Sequence, residues 1–438
     1  MSLPFFLCLF TRIGYCICTI FIGKFLNSFC VCEFCFGYFT VYIYRKTSLQ
    51  RGKPKIYKKV TTVSSFSLAD GEKLVYNKEN ARKRKEKMSE IAILGYGTVG
   101  SGVAELFDDN RENITNKTGK DISVKYILDV RDFPGNRFEE KIIHDFGVIE
   151  NDEDIEVVVE TIGGVGAAYE FTKRALKKGK HVVTSNKELV SEKGDELFRL
   201  AESHGVRYLF EAAVGGGIPV IHPIYDCLAA NKIESIVGIL NGTTNYILTQ
   251  MIKENRSFDD ALKTAQELGY AEKDPTADVK GYDTCRKICI LASLAFGNHI
   301  YPKEVYTEGI DSLTLDAVKR ARENGFAVKL LGVAKRTSDE KLEIFVSPCA
   351  LPLSHPLATV EDVYNGVCIT GNKVGRVSFF GRGAGKDATA SAVCSDVIET
   401  LVCSEKKTVL WDRAKDGTIT EFGSIKLDRF EGLPIIGE

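Results

Sequence analysis

Residues 91–100 read IAILGYGTVG. Four apolar residues make a short buried strand. They run into Gly95-x-Gly97-x-x-Gly100, after which Val103, Leu106 and Phe107 fall at helical spacing. In a strand–turn–helix context this glycine spacing has a physical meaning. Gly95 permits the tight turn, Gly97 lets backbone approach a pyrophosphate, and Gly100 lets the helix pack on the strand. Thr98 and Val99 open the helix, whose unpaired N–H groups suit a phosphate. The plainer alternative is a glycine-rich turn in an ordinary α/β domain.

The segments downstream repeat the pattern. Ile122–Asp129 reads as the second strand and ends in Asp129-Val130-Arg131-Asp132. An acid there would bind the ribose 2′-hydroxyl of NAD, and an arginine would accept the 2′-phosphate of NADP. Arg131 tilts the expectation to NADP, with NAD possible; a surface salt bridge would look the same. IEVVVETI at 155–162 reads as a strand carrying Thr161 to the site. A helix over 167–178 and a strand at 181–184 lead to Ser185-Asn186-Lys187, and 206–210 is a further strand before Glu211-Ala-Ala-Val-Gly-Gly-Gly-Ile-Pro219. Alternating strands and helices predict a Rossmann-type doubly wound parallel sheet. From 235 the pattern changes to a strand, the polar turn Asn241-Gly-Thr-Thr-Asn245, and helices over about 258–268 and 283–296, with strands at 327–335 and 342–347. A second, α+β domain is therefore expected over 216–379. The nucleotide domain is expected over 89–215, completed by about 380–438.

The bulk charge gives no reason to expect nucleic acid as a partner. The net charge is −1, but residues 1–87 hold 16 Lys and Arg against 5 Asp and Glu, a net of +11 that leaves −12 in the rest. In this head the apolar run precedes the charge, the reverse of a signal peptide. Arg12, Lys24, Asn27 and Glu33 interrupt every candidate membrane span. Cys32-Glu33-Phe34-Cys35 is a lone C-x-x-C without a second pair at zinc spacing. Arg84-Lys85-Glu86-Lys87 is compatible with a purine-rich ribosome-binding sequence immediately before Met88. Residues 1–88 are thus expected to be a mistranslated leader or a disordered extension, with the start at Met88. Seven scattered cysteines in the body suggest reduced, cytoplasmic usage. None of the six histidines has the spacing of a catalytic zinc site.

Ten stretches together resemble homoserine dehydrogenase: ILGYGTVGSGV, VVETIGG, GKHVVTSNKELV, FEAAVGGGIPVI, GILNGTTNYILTQM, LGYAEKDPTADVKGYDTCRKICILASLAFG, EGI, VKLLGVAK, HPLA and GRGAGKDATASAV. They stand in the family's order across nearly all of 89–403. The resemblance implies reversible NAD(P)-dependent interconversion of L-homoserine and L-aspartate 4-semialdehyde, toward threonine and methionine. It implies Lys287 as catalytic acid/base, Lys187 as a second active-site lysine beside the cofactor, and Asp283 as an acid at the reacting centre. Glu272 and Asp278 match substrate-binding acids, and Gly269 and Gly385 match cofactor contacts. Glu211, Val214, Gly216 and Ile218 match residues whose oxygens hold a sodium ion of structural role. Ser185 and Gly215 stand where other members differ, at small-residue positions. A homodimer without a membrane anchor is implied, with 216–379 as the catalytic and dimerisation domain. Feedback-regulated members often carry an ACT domain after the catalytic body, and the 35 residues after Cys403 are too few for one.

Residues 269–288, GYAEKDPTADVKGYDTCRKI, set four carboxylates and four cations against the start of an apolar helix. Asp283 and Lys287 are four apart and share a helix face. A free lysine titrates near ~10.4, too high for a base at neutral pH. Burial or a second cation such as Lys187 would lower it. Glu272 and Asp278 could hold the substrate ammonium by charge-assisted bonds. A solvated helix start with a surface ion pair is the alternative for this stretch alone, and a non-catalytic NADP-binding sensor is the alternative for the chain.

Overall fold

The computed structural model describes residues 88–403 and 410–437, and before them the backbone of five strands, Leu7–Phe10, Cys16–Ile20, Ser28–Cys35, Tyr38–Lys46 and Ile56–Val63. Those five pair antiparallel in sequence order, within a unit, Met1–Lys83, distinct from Arg84–Glu438. The rest of the head, with the stretch 84–87 on which the expected start at Met88 rests, lies outside the described residues. Among the described residues no helix is long and apolar enough to cross a membrane.

From residue 88 on, strands β1 (Ser89–Leu94), β2 (Ile122–Leu128), β3 (Ile142–Ile143), β4 (Ile155–Glu160), β5 (His181–Thr184) and β6 (Tyr208–Leu209) form one sheet in the order 6-5-4-1-2-3. Every pairing in it is parallel. This is the doubly wound order, with its topological switch point between β1 and β4. Successive residues of β1 point to opposite faces, and both faces are buried. Ala92 and Leu94 pack with Leu176, Leu197 and Phe198 from helices α2 (Gly166–Lys177) and α3 (Lys187–Ser203). Ile91 and Ile93 pack with Val103 and Phe107 of α1 (Thr98–Asp109) and with Val393 and Val397 from far along the chain. All four β1 residues 91–94 are fully buried, which accounts for the unbroken apolar run in the sequence.

The second sheet is mixed, in the order β8 (Tyr306–Thr307), β10 (Leu342–Pro352), β9 (Phe326–Arg336), β7 (Ile233–Ile239), β11 (Tyr364–Gly371), β12 (Gly375–Arg382). Helices α4 (Gly242–Lys253), α5 (Phe258–Glu267), α6 (Tyr282–Phe296) and α7 (Leu315–Glu323) accompany it. Its face toward α4, α6 and α7 belongs to the same apolar core as the α2/α3 side of the first sheet. Its other face carries Ile239, Leu331, Phe345 and Leu351 under Leu357 and Ile425. Helix α8 (Lys386–Val402) then returns to α1, where Lys386 pairs with Glu105 at 2.7 Å. Trp411 packs edge-on to Phe198 and Phe210. Beyond it the chain follows the second sheet, Ile419 beside Leu342 and Ile435 beside Ala350.

Candidate active site

The glycine turn is shaped by contacts that the sequence only implies. Gly95 sits at φ +92° with the Thr161 carbonyl 3.1 Å from where a Cβ would lie, and a Cβ on Gly100 would fall 1.9 Å from the Gly95 oxygen. A Cβ on Gly97 would meet nothing within 4 Å. Thr161 Oγ1 donates to the carbonyls of Leu94 (2.9 Å) and Gly95 (3.0 Å), so it pins the turn. Helix α1 opens at Thr98 without a side-chain cap, leaving its first N–H groups open to an anion.

At the end of β2, Asp129 accepts from Tyr96 N (2.7 Å) and, through both carboxylate oxygens, from the Arg131 guanidinium at 3.0 Å. Arg131 lowers the Asp129 carboxyl to about 2, with the Tyr96 and Arg131 backbone N–H groups adding to the effect against burial. The acid that would accept a ribose hydroxyl is therefore occupied by a cation. The Arg131 side chain is 60 % exposed and lies over the Phe133 ring.

The reacting centre is built where α3 and α6 begin. Asn186 caps α3, accepting from Leu189 N at 3.1 Å, and its amide donates to Gly164 O at 2.6 Å. This places Lys187 at the first turn of α3. Arg286 of α6 reaches Glu188 of α3 at 3.0 Å and ties the two helix starts together. Lys287, 7 % exposed, donates from Nζ to Asp283 Oδ2 and to Leu240 O, each at 2.7 Å. Lys187 Nζ meets the other Asp283 oxygen at 2.7 Å. Asn241 donates through Nδ2 to Asp283 Oδ2 at 2.9 Å and to Asp278 Oδ1 at 2.7 Å.

The charges set one another. Burial pushes the Asp283 carboxyl up, but Lys287, Lys187 and the Asn241 amide outweigh it and hold it well below the carboxylate range. Burial drives the Lys287 ammonium below the ordinary lysine value, aided by Lys187 and opposed by Asp283. Asp283 raises Lys187 instead. Burial and then the Asp283 charge raise Asp278. The centre thus holds a firmly ionised acid between two lysines, the buried one shifted toward its neutral form.

Thr98, Val99, Lys187, Gly216, Lys287 and Gly385 line one cleft of about 240 Å³. The glycine turn, the lysine pair and the start of α8 therefore share a space. Gly269 ends α5 at φ +75°, and Glu272 is exposed on the loop that follows; neither lines this cleft. At the expected cation bend the Glu211 carboxylate accepts from Val220 N (2.6 Å), Ile221 N (2.9 Å) and His222 N (2.7 Å). Its side chain is committed to the protein, which leaves main-chain carbonyls for an ion.

Several groups of the folded site carry no signal in the sequence. Asn241 was visible only as a turn residue. His222 Nε2 stands 2.8 Å from Asp396 Oδ1 and 2.9 Å from Glu399 Oε2, an N/O₂ set in which the histidine is 174 or more residues from either acid. Arg207 pairs with Glu399, and Asp396 accepts from Glu211 N at 2.7 Å. No motif spacing could have found this cluster.

A family model for the homoserine dehydrogenase NAD-binding domain matches residues 95–211, and one for homoserine dehydrogenase itself matches 219–398. The chain belongs to the homoserine dehydrogenase family. It is 46 % identical over 317 residues to homoserine dehydrogenase of Synechocystis sp., covering 71 % of this chain and 73 % of that protein. To the Bacillus subtilis homoserine dehydrogenase it is 39 % identical over 319 residues, 72 % and 73 % covered. The crystal structure of the homoserine dehydrogenase from Thiobacillus denitrificans superposes with a TM-score of 0.71 at 38 % identity, covering 76 % of this chain and 79 % of that one. A hyperthermophilic archaeal homoserine dehydrogenase in complex with NADPH gives a TM-score of 0.61 at 26 % identity, with 73 % and 99 % covered. The chain is an NAD(P)-dependent oxidoreductase that interconverts L-homoserine and L-aspartate 4-semialdehyde. Homoserine dehydrogenase membership leaves the non-catalytic sensor reading without support.

Proposed function

We propose that Lys287 is the acid/base of the homoserine dehydrogenase reaction, acting from a pocket shared with the nicotinamide. The observation that carries this reading is the pair of fixed bonds on Lys287 Nζ. With N–H groups committed to Leu240 O and Asp283 Oδ2, the remaining tetrahedral position is open to a substrate hydroxyl. Neutral Lys287 takes the hydroxyl proton as the carbon loses its hydride; in the reverse direction the ammonium returns it. The bound nicotinamide supplies the hydride acceptor or donor. Lys187, half exposed in the same cleft, faces the polar end of the substrate and keeps Asp283 ionised. Asp278 and Glu272 are assigned to the substrate ammonium. Gly95, Gly97, Thr98, Val99 and Gly100 hold the pyrophosphate, with Thr161, Gly269 and Gly385 as further cofactor contacts.

We assign the cofactor as NADP. Arg131 occupies the Asp129 carboxylate and presents the rest of an exposed guanidinium beside the turn. The expected result is a lower KM for NADP⁺ than for NAD⁺ in L-homoserine oxidation, with the ratio reduced about tenfold or more in Arg131→Ala, the scale of one charge-assisted contact. Equal KM values in the wild type would reject the assignment.

Sodium fits the bend at 211–218. Gly215 and Gly216 turn it at φ +79° and +56°, and the carbonyls of Val214, Gly216 and Ile218 accept no hydrogen bond among the described residues. Such oxygens suit a hard cation. With Glu211 O they would hold sodium in a structural role. We divide the chain into a nucleotide domain, 89–215 with the helix Lys386–Val402, and a catalytic and dimerisation domain, 216–379; the segment 419–435, expected with the nucleotide domain, instead runs along the second sheet, beside Leu342 and Ala350. A homodimer is supported by the exposed apolar groups Tyr364, Val374 and Phe380 on the β11–β12 edge hairpin. The free cysteines, Cys285 and Cys289 among them, support a cytoplasmic setting.

A further inference from the structure

Asn241 is 5 % exposed and all of its side-chain polar capacity is used. Its Oδ1 accepts from Thr244 N (2.9 Å) and Thr244 Oγ1 (3.1 Å), capping α4. That fixes the amide orientation, because only an oxygen can accept from the Thr244 backbone N–H. Nδ2 is therefore the end that faces the acids, and its two hydrogens serve two different carboxylates, Asp278 at 2.7 Å and Asp283 at 2.9 Å. The preceding residue supplies the carbonyl that holds Lys287 Nζ at 2.7 Å. One dipeptide, Leu240-Asn241, thus touches the lysine, its paired acid and the neighbouring acid.

We propose that Asn241 is a positioning residue of the catalytic centre, holding the Asp278 and Asp283 carboxylates apart with one N–H each and keeping Asp283 under Lys287. The proposal rests on the assignment of Lys287 as acid/base. Two carboxylates on one buried donor would otherwise repel or share a proton. With the amide in place each acid has its own hydrogen bond, so Asp283 stays with the two lysines and Asp278 stays toward the substrate. Removing the donor leaves the Asp283 charge less compensated. It then holds the Lys287 ammonium more firmly, and the base form appears at higher pH.

The test separates this role from helix capping. Serine is also a good N-cap, so Asn241→Ser keeps the cap and removes the two donors. Asn241→Asp keeps the cap, removes the donors and adds a charge. In the full chain, oxidation of L-homoserine by NADP⁺ is followed against pH, with thermal unfolding measured in parallel. The expected result for Asn241→Ser is a rise of the acid limb of kcat by about one pH unit, the equivalent of one charge-assisted hydrogen bond, with KM for homoserine raised as Asp278 is released. In Asn241→Asp the limb moves further in the same direction. A limb unchanged in either folded variant overturns the proposal while leaving the Lys287 assignment intact. A wild type whose kcat shows no acid limb, or a wild type without turnover, overturns both.

Discussion

At the scale of single residues, the two lysines differ in burial: Lys287 is 7 % exposed, whereas the Lys187 side chain is 42 % exposed. The two ammonium groups share Asp283, one on each oxygen at 2.7 Å. Burial, the largest influence on Lys287, favours its neutral form, and Lys187 adds to that through charge repulsion. With Lys287 as the proposed base, oxidation would need its neutral form, so the rate should rise with pH along a limb lying below the free-lysine value of ~10.4. Lys187→Met removes the neighbouring cation and frees an Asp283 oxygen. Both changes stabilise the Lys287 ammonium, so the limb should move to higher pH. A pH profile of kcat for L-homoserine oxidation in wild type and variant checks this; a limb that moves down would contradict the charge assignment. The Asp283–Lys287 pair was legible because a helix places residues four apart on one face. Asn241 was not, because its partners lie 37 and 42 residues away and only the folded turn brings them to one amide.

Among the elements, the strand–turn–helix at 89–109 carries the clearest division of labour. Gly100 has backbone 1.9 Å from its missing Cβ, whereas Gly97 has open space. Gly100→Ala should therefore destabilise the fold by about 1–3 kcal/mol, the scale of overpacking in a tight site. Gly97→Ala should leave unfolding within about 1 kcal/mol of wild type, the usual scale of a helix-end glycine change, yet weaken NADP⁺ binding where backbone must approach the pyrophosphate. Chemical denaturation and cofactor titration on both variants check this, and the reverse ranking of the two would contradict the account. Element type was readable from apolar runs; ends were less so. The run 155–162 was expected to be all strand, but pairing stops at Glu160, whose buried carboxylate turns back to accept from Ile162 N at 2.7 Å. Likewise 206–210 shortens to Tyr208–Leu209. The strands Tyr364–Gly371 and Gly375–Arg382 escaped the sequence reading, since glycines and exposed polar residues blur their alternation.

Across the whole molecule, the chain's end completes its beginning. Helix α8 adds Val393 and Val397 to the α1 side of the first sheet and carries Asp396 and Glu399 into a cluster with Arg207, Glu211 and His222. A buried group of this kind is costly to break because any one partner leaves an unpaired charge. It ties the sheet to the 211–222 bend that lines the cleft, so the cofactor turn, the bend and the lysine centre are held as one body. The order of motifs announced the family and the doubly wound sheet. It could not announce these contacts, which join residues nearly two hundred positions apart. The most direct measurement of the central claim is NADP⁺ reduction by the purified full chain with L-homoserine, beside Lys287→Ala. Turnover is expected in the wild type, with a loss of about 10²–10⁴-fold in kcat for the folded variant, the scale of a positioned acid/base. Turnover in Lys287→Ala equal to the wild type would contradict it.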